Sequence, residues 1–180
     1  MQGIKDAPQS DNLPQTDVVL FEIKHSATWG RTLVKYYGHD KRVVIPEDEN
    51  IKAIGGFAFY YNKDMHYVVI PDTVQYIQRC AFNDSGLEYL RIPPQIMSIE
   101  IGAFGKTPIE SIWFQPIYCA VEDGAFARCT NVKEIEYRGT KRQWGYLVMD
   151  YPELTRLIEQ NRHNDITVVC ADGIISLDEE

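Results

Sequence analysis

Residues 54–59 read Ile-Gly-Gly-Phe-Ala-Phe, 77–82 Ile-Gln-Arg-Cys-Ala-Phe, 99–104 Ile-Glu-Ile-Gly-Ala-Phe and 121–126 Val-Glu-Asp-Gly-Ala-Phe. The phenylalanines Phe59, Phe82, Phe104 and Phe126 are 23, 22 and 22 residues apart, and Ile54, Ile77, Ile99 and Val121 keep the same intervals. A fixed period of this length marks a solenoid, in which each unit buries its apolar side only against its neighbours. The architecture can therefore be read from the chain, whereas the task of a solenoid is set by its surface.

Each unit opens on an apolar run closed by proline: Val-Val-Ile-Pro at 43–46, Val-Val-Ile-Pro at 68–71, Leu-Arg-Ile-Pro at 90–93 and, with the proline displaced by one, Ile-Trp-Phe-Gln-Pro at 112–116. Proline ends a strand by removing a ladder donor. A second short strand, such as Val-Gln-Tyr-Ile at 74–77, precedes each Ala-Phe. The coil is thus strand, corner, strand and Ala-Phe turn, with the acidic stretch 47–50 solvated at the first corner.

The expected fold is mainly β, a solenoid of about four repeats of 22–25 residues over 42–137. Ahead of it, apolar runs at 18–24 and 32–37 around a turn at 25–30 predict a β-hairpin cap within 18–41. Behind it, 138–180 predict a cap of helix and strand. There Trp144, Leu147, Val148, Leu154, Leu157 and Ile158 recur at helical spacing on either side of Pro152, and a strand pair follows around Asp172 and Gly173. The polar stretch 1–17, with Pro8 and Pro14, reads as a disordered tail on a single domain 18–180.

Formal net charge is -8 with a pI near 5.0, which disfavours duplex nucleic acid and anionic membranes as partners. No stretch is apolar enough for membrane insertion as a helix. The first residues lack a signal-peptide core, so the expected location is cytoplasmic, or surface or secreted if a targeting segment was trimmed. Cys80, Cys119, Cys129 and Cys170 have neither Cys-x-x-Cys nor Cys/His ligand spacing, and Cys80 and Cys129, each flanking an Ala-Phe unit, read as small packing residues, with no metal, cofactor or catalytic residue expected.

The unit resembles the BspA-type leucine-rich repeat, whose pattern runs close to Val-x-x-Ile-x-x-x-Ala-Phe-x-x-Cys-x-x-Leu-x-x-Ile-x-Ile-Pro. Val74, Ile77, Ala81, Phe82, Leu87, Ile92 and Pro93 fall on it, and Ala125, Phe126 and Cys129 keep its cysteine. The resemblance covers about residues 20–175 and implies a curved solenoid of a kind often borne by bacterial surface proteins that bind host proteins or other cells. It implies no catalytic residues, because the motif is structural.

Strand alternation points Val68, Ile70, Leu90, Ile92, Ile112, Phe114, Ile135 and Tyr137 inward. The outward residues are then Arg42 and Val44, Tyr67 and Val69, Tyr89 and Arg91, Ser111 and Trp113, Glu134 and Glu136. Tyr, Trp and Arg are the types enriched at binding hot spots. Tyr67, Val69, Tyr89, Arg91, Trp113, Glu134 and Glu136 are therefore the expected partner-binding residues, although cross-strand aromatic pairs also stabilise sheets. Glu134 and Glu136 lie about 7 Å apart along one strand, but nothing in the sequence supplies a sugar-sized cleft beside them. One position earlier, His66, Glu88 and Glu110 between Lys41 and Lys133 read as a solvated charge row.

The function expected from these features is non-enzymatic protein–protein interaction through this strand face. Self-assembly into homo-oligomers is the alternative, and carbohydrate binding the third reading. A helical segment 141–163 lying over the face would abolish the site.

Overall fold

A computed structural model of the chain describes residues 16–116 and 118–175. β1 (Phe21–Ser26) and β2 (Gly30–Tyr36) form the expected antiparallel hairpin, with Phe21 opposite Tyr36 and Ser26 opposite Gly30. The hairpin does not stop at capping. β2 pairs in parallel with β4 (Ala53–Ile54), and the row continues through β6 (Tyr76–Ile77), β8 (Ser98–Ile99) and β10 (Ala120–Val121) to give a six-stranded short-strand sheet.

The runs before each proline build the second sheet: β3 (Arg42–Val44), β5 (Tyr67–Val69), β7 (Tyr89–Ile92), β9 (Ser111–Phe114) and β11 (Glu134–Tyr137), all parallel and in register. β12 (Thr167–Cys170) adds in parallel to β11, and β13 (Gly173–Ile175) closes antiparallel on β12, so this long-strand sheet has seven strands. Four Ala-Phe turns therefore serve five coils, and the cap strands lengthen both sheets beyond the repeats.

All eight residues expected to point inward are at most 2% exposed. At the third side of each coil the Ala-Phe turns stack through backbone bonds from Phe59 N–H to Ala81 C=O (2.7 Å), Phe82 N–H to Ala103 C=O (2.7 Å) and Phe104 N–H to Ala125 C=O (2.8 Å). Their rings form one face-to-face column, with centroids 4.8 Å apart for Phe59 and Phe82, 5.2 Å for Phe82 and Phe104, and 5.3 Å for Phe104 and Phe126. Alanine precedes each phenylalanine because the site is fully closed: Ala58, Ala81, Ala103 and Ala125 are 0% exposed.

The turn demands a left-handed residue two places before and two places after each phenylalanine. Phe57, Cys80, Gly102 and Gly124 fill the first position at φ 61°, 55°, 69° and 78°, and Tyr61, Asp84, Lys106 and Arg128 the second at φ 59°, 58°, 58° and 62°. At Gly102 a Cβ would also lie 3.0 Å from Cys80 Sγ, whereas at Gly124 it would meet only Ile101 Cγ1 at 3.7 Å. Gly102→Ala is thus expected to cost more than Gly124→Ala, both within roughly 1–2 kcal/mol. Urea midpoints of the two variants check the order; equal losses would mean that the Cys80 thiol moves aside freely.

α1 (Lys141–Asp150) and α2 (Pro152–Gln160) lie on the C-terminal end of the solenoid. A Thr140–Gln143 capping box starts α1, and Pro152 starts α2 at a position where a missing N–H costs nothing. Trp144 packs 5.2 Å from Tyr137 and 6.4 Å from Phe114, ring centre to ring centre. Glu153, 3% exposed, accepts from Gly124 N–H and Phe126 N–H, each at 2.9 Å. Asn161, 0% exposed, accepts from Val132 N–H at 2.9 Å and donates to Cys129 C=O at 2.7 Å. These polar side chains take the place of the next coil's backbone.

Of the stretch read as a tail, residues 1–15 lie outside the described residues. Thr16 is 8% exposed with its hydroxyl accepting from Val44 N–H at 2.8 Å, and Asp17 accepts from Val19 N–H at 3.1 Å.

Candidate interaction surface

Parallel register places the outward residues of the long-strand sheet in two columns. Arg42, Tyr67, Tyr89, Ser111 and Glu134 form one, and Val44 and Val69 lead in register to Arg91, Trp113 and Glu136 in the other. All seven residues expected at the site are therefore on one face. Tyr89 is the most open, at 45% exposed, and its neighbours are half-buried against one another.

Two arginines on this face pack against aromatic rings. The Arg42 guanidinium lies 5.2 Å from the centre of the Tyr67 ring, and that of Arg91 lies 5.5 Å from the centre of Trp113. Arg91 also donates to Asp72 at 2.8 Å and to Ile70 C=O at 3.3 Å. A guanidinium fixed on both sides loses little freedom on binding, which favours it as a contact. The Tyr67 hydroxyl is held above its ordinary pKa by burial, against the opposing pull of Arg42 and Arg91.

The far end of the face is acidic. Burial, and secondly the charge of Glu136, raises the pKa of Glu134 above the usual carboxylate value. A carboxyl bound more tightly to its proton in the folded state than in the unfolded one contributes stability that is fully present below the unfolded pKa and is lost as pH rises through the folded pKa. Glu134→Gln should therefore raise stability at pH 7 by a few tenths of a kcal/mol, because water screens a half-exposed group, and leave stability at pH 3 unchanged. Melts at the two pH values check this.

The row at the start of the strands resolves into pairs, a hydrogen bond between His66 Nδ1 and Glu88 at 2.8 Å and an ion pair between Lys133 Nζ and Glu110 at 2.9 Å. Among the described residues no three His, Cys, Asp or Glu side chains come close enough to hold a metal. Burial pushes the thiols of Cys119 and Cys129 up to about 12 and about 11, so neither is a nucleophile at neutral pH. No helix among the described residues is long and apolar enough to cross a membrane.

The helices leave the face open. Their contacts are with the end of the solenoid: Trp144 on Phe114 and Tyr137, Glu153 on Gly124 and Phe126, and Asn161 on Val132. Sequence reasoning missed a second aromatic group on the edge that carries the turns, where Phe57 is 49%, Tyr60 44%, Tyr61 61% and Tyr37 61% exposed. The signal was present as Phe57, Tyr60 and Tyr61, three aromatics at positions where later turns carry small or polar residues.

The family model of the BspA-type leucine-rich repeat region matches residues 42–168 in six copies. The chain belongs to that family. As a BspA-type repeat protein it is similar in structure to a leucine-rich repeat protein of T. pallidum, at TM-score 0.55 and 19% identity over 68% of this chain and 71% of that one. It is also similar to a leucine-rich cell surface protein of Faecalibacterium prausnitzii, at TM-score 0.55 and 20% identity over 71% of this chain and 40% of that one. At these identities the likeness is one of fold. No curated protein sequence matches the chain.

Proposed function

We propose that this BspA-type repeat protein is a non-enzymatic docking module that holds a protein partner against the long-strand face. The observation that carries the reading is the stacked, uncovered set of Tyr67, Tyr89, Arg91 and Trp113, with caps confined to the solenoid ends. Tyr and Trp contribute contact area with few rotors to freeze, and Arg91 is already immobilised. Val69 adds an apolar position on the same face, while Glu134 and Glu136 supply an acidic end that selects for basic groups on the partner. The cell-surface setting of the F. prausnitzii protein makes an extracellular partner a natural one to test.

The test is affinity capture with wild type and with a Tyr67→Ser, Tyr89→Ser, Trp113→Ser variant that keeps a cooperative melt. A polypeptide recovered by wild type alone supports the proposal. Light scattering separates the self-assembly reading: a stable oligomer dissolved by the same substitutions would make a second copy the partner.

A further inference from the structure

We infer that the third side of the solenoid, built by the Ala-Phe turns, carries a binding groove for a short acidic oligosaccharide. Two clefts lie on that side. One, of about 360 Å³, is lined by Tyr37, Tyr60 and Tyr61, and the other, of about 320 Å³, by Lys106, Arg128 and Thr107; Lys63 lines both. The coils from the 35–39 segment to the fourth turn span about 19 Å at the spacing of neighbouring strands.

The repeat supplies its own control. The position after each phenylalanine carries Tyr60, Asn83, Gly105 and Ala127, and the next carries Tyr61, Asp84, Lys106 and Arg128. Turns bearing small or polar residues stack through the same backbone bonds, Asp84 N–H to Gly105 C=O and Lys106 N–H to Ala127 C=O, each at 2.8 Å. The fold therefore needs neither the tyrosines nor the bases, and the exposed rings are surplus to packing.

Lys106 stands between Asp84 on one neighbouring turn and Arg128 on the other, so only the step from Lys106 to Arg128 sets like charges together. Lys106 and Arg128 project from adjacent turns with the same left-handed backbone, both exposed, and like charges stacked on neighbouring strands repel. Among the described residues neither has an acidic partner, although the chain holds 26 Asp and Glu. An anion seated between them removes the repulsion. Lys63, by contrast, is fixed by Asp84 at 2.7 Å and lies 5.0 Å over the Tyr61 ring, which joins the aromatic half to the cationic half.

Exposed tyrosine rings offer an electron-rich face to the polarised C–H face of a sugar. The neighbouring cations then take a carboxylate or sulfate on the next unit. The charge pattern fits a ligand whose charge is localised rather than one charge per unit, because Asp64 lines the aromatic half and Asp84 neutralises Lys63 between the two halves.

Calorimetry with a hyaluronan octasaccharide, with the same oligosaccharide after reduction of its carboxylates, and with an oligo-dT strand tests the inference. Wild type is expected to bind the acidic sugar, more weakly by roughly tenfold after carboxyl reduction. Lys106→Gln with Arg128→Gln should bring the acidic sugar down to the level of the reduced one. Tyr60→Ser with Tyr61→Ser should weaken both. All four side chains are exposed, so unchanged melts will show that the variants are folded. No binding of the acidic sugar, binding indifferent to these substitutions, or equal or tighter binding of oligo-dT would overturn it. The Tyr67, Tyr89, Trp113 variant should bind the sugar as wild type does, so this site and the protein-docking face stand or fall separately.

Discussion

Replacing Phe82 by Ala is expected to lower the unfolding free energy by about 4 kcal/mol, within the range for truncating a fully buried phenylalanine. For a chain of this length that is a fall in Tm of roughly 8–16 °C. The large effect follows from position. Phe82 is 0% exposed and sits between Phe59 at 4.8 Å and Phe104 at 5.2 Å, so one truncation removes ring contacts to two coils. In a solenoid those neighbour contacts are the stability of the array, because no distant residue shares the core. Phe126, at the end of the column, stacks on Phe104 alone among the phenylalanines, and Phe126→Ala should cost less than Phe82→Ala. Chemical denaturation of both variants checks the order, and equal losses would mean that the column is not the principal contact between coils.

The second large effect is expected at the C-terminal cap. Glu153→Ala removes the acceptor of Gly124 N–H and Phe126 N–H together and leaves donors without partners under α2, a loss of about 3 kcal/mol. Glu153→Gln retains one acceptor oxygen and turns an amide N–H₂ toward the other donor, so about half of that loss is expected. The Arg156 pairs belong to a different class: the contact with Asp123 at 3.0 Å is exposed, and Asp123→Asn should change stability by less than about 0.5 kcal/mol. Hydrogen exchange at Gly124 and Phe126 distinguishes the account from a general loosening, since these amides should lose protection first in Glu153→Ala.

Why the coil was legible in the sequence and the cap was not is a matter of periodicity. Phe59, Phe82, Phe104 and Phe126 repeat because each meets the same neighbour, and strand alternation then sorts Val68 and Leu90 inward from Tyr67 and Tyr89 outward. The helices around Pro152 were legible from apolar spacing, but Glu153 and Asn161 look like ordinary polar residues on a helix. Their role exists only because the last coil presents unpaired backbone groups, which no local pattern announces. The same blindness hid Tyr60 and Tyr61. A pair of tyrosines beside a core motif reads as more core until the left-handed turn throws them outward.

The most direct test of the docking proposal is site-specific photo-crosslinking from two exposed positions, Tyr89 on the long-strand face and Met149 on α1, which is 77% exposed. A benzophenone side chain at each position, irradiated in lysate and secreted fraction of the source, reports what touches that surface. The account predicts a discrete protein adduct from position 89 and none of the same mass from position 149. Adducts of equal yield from both, or none from position 89, would contradict it.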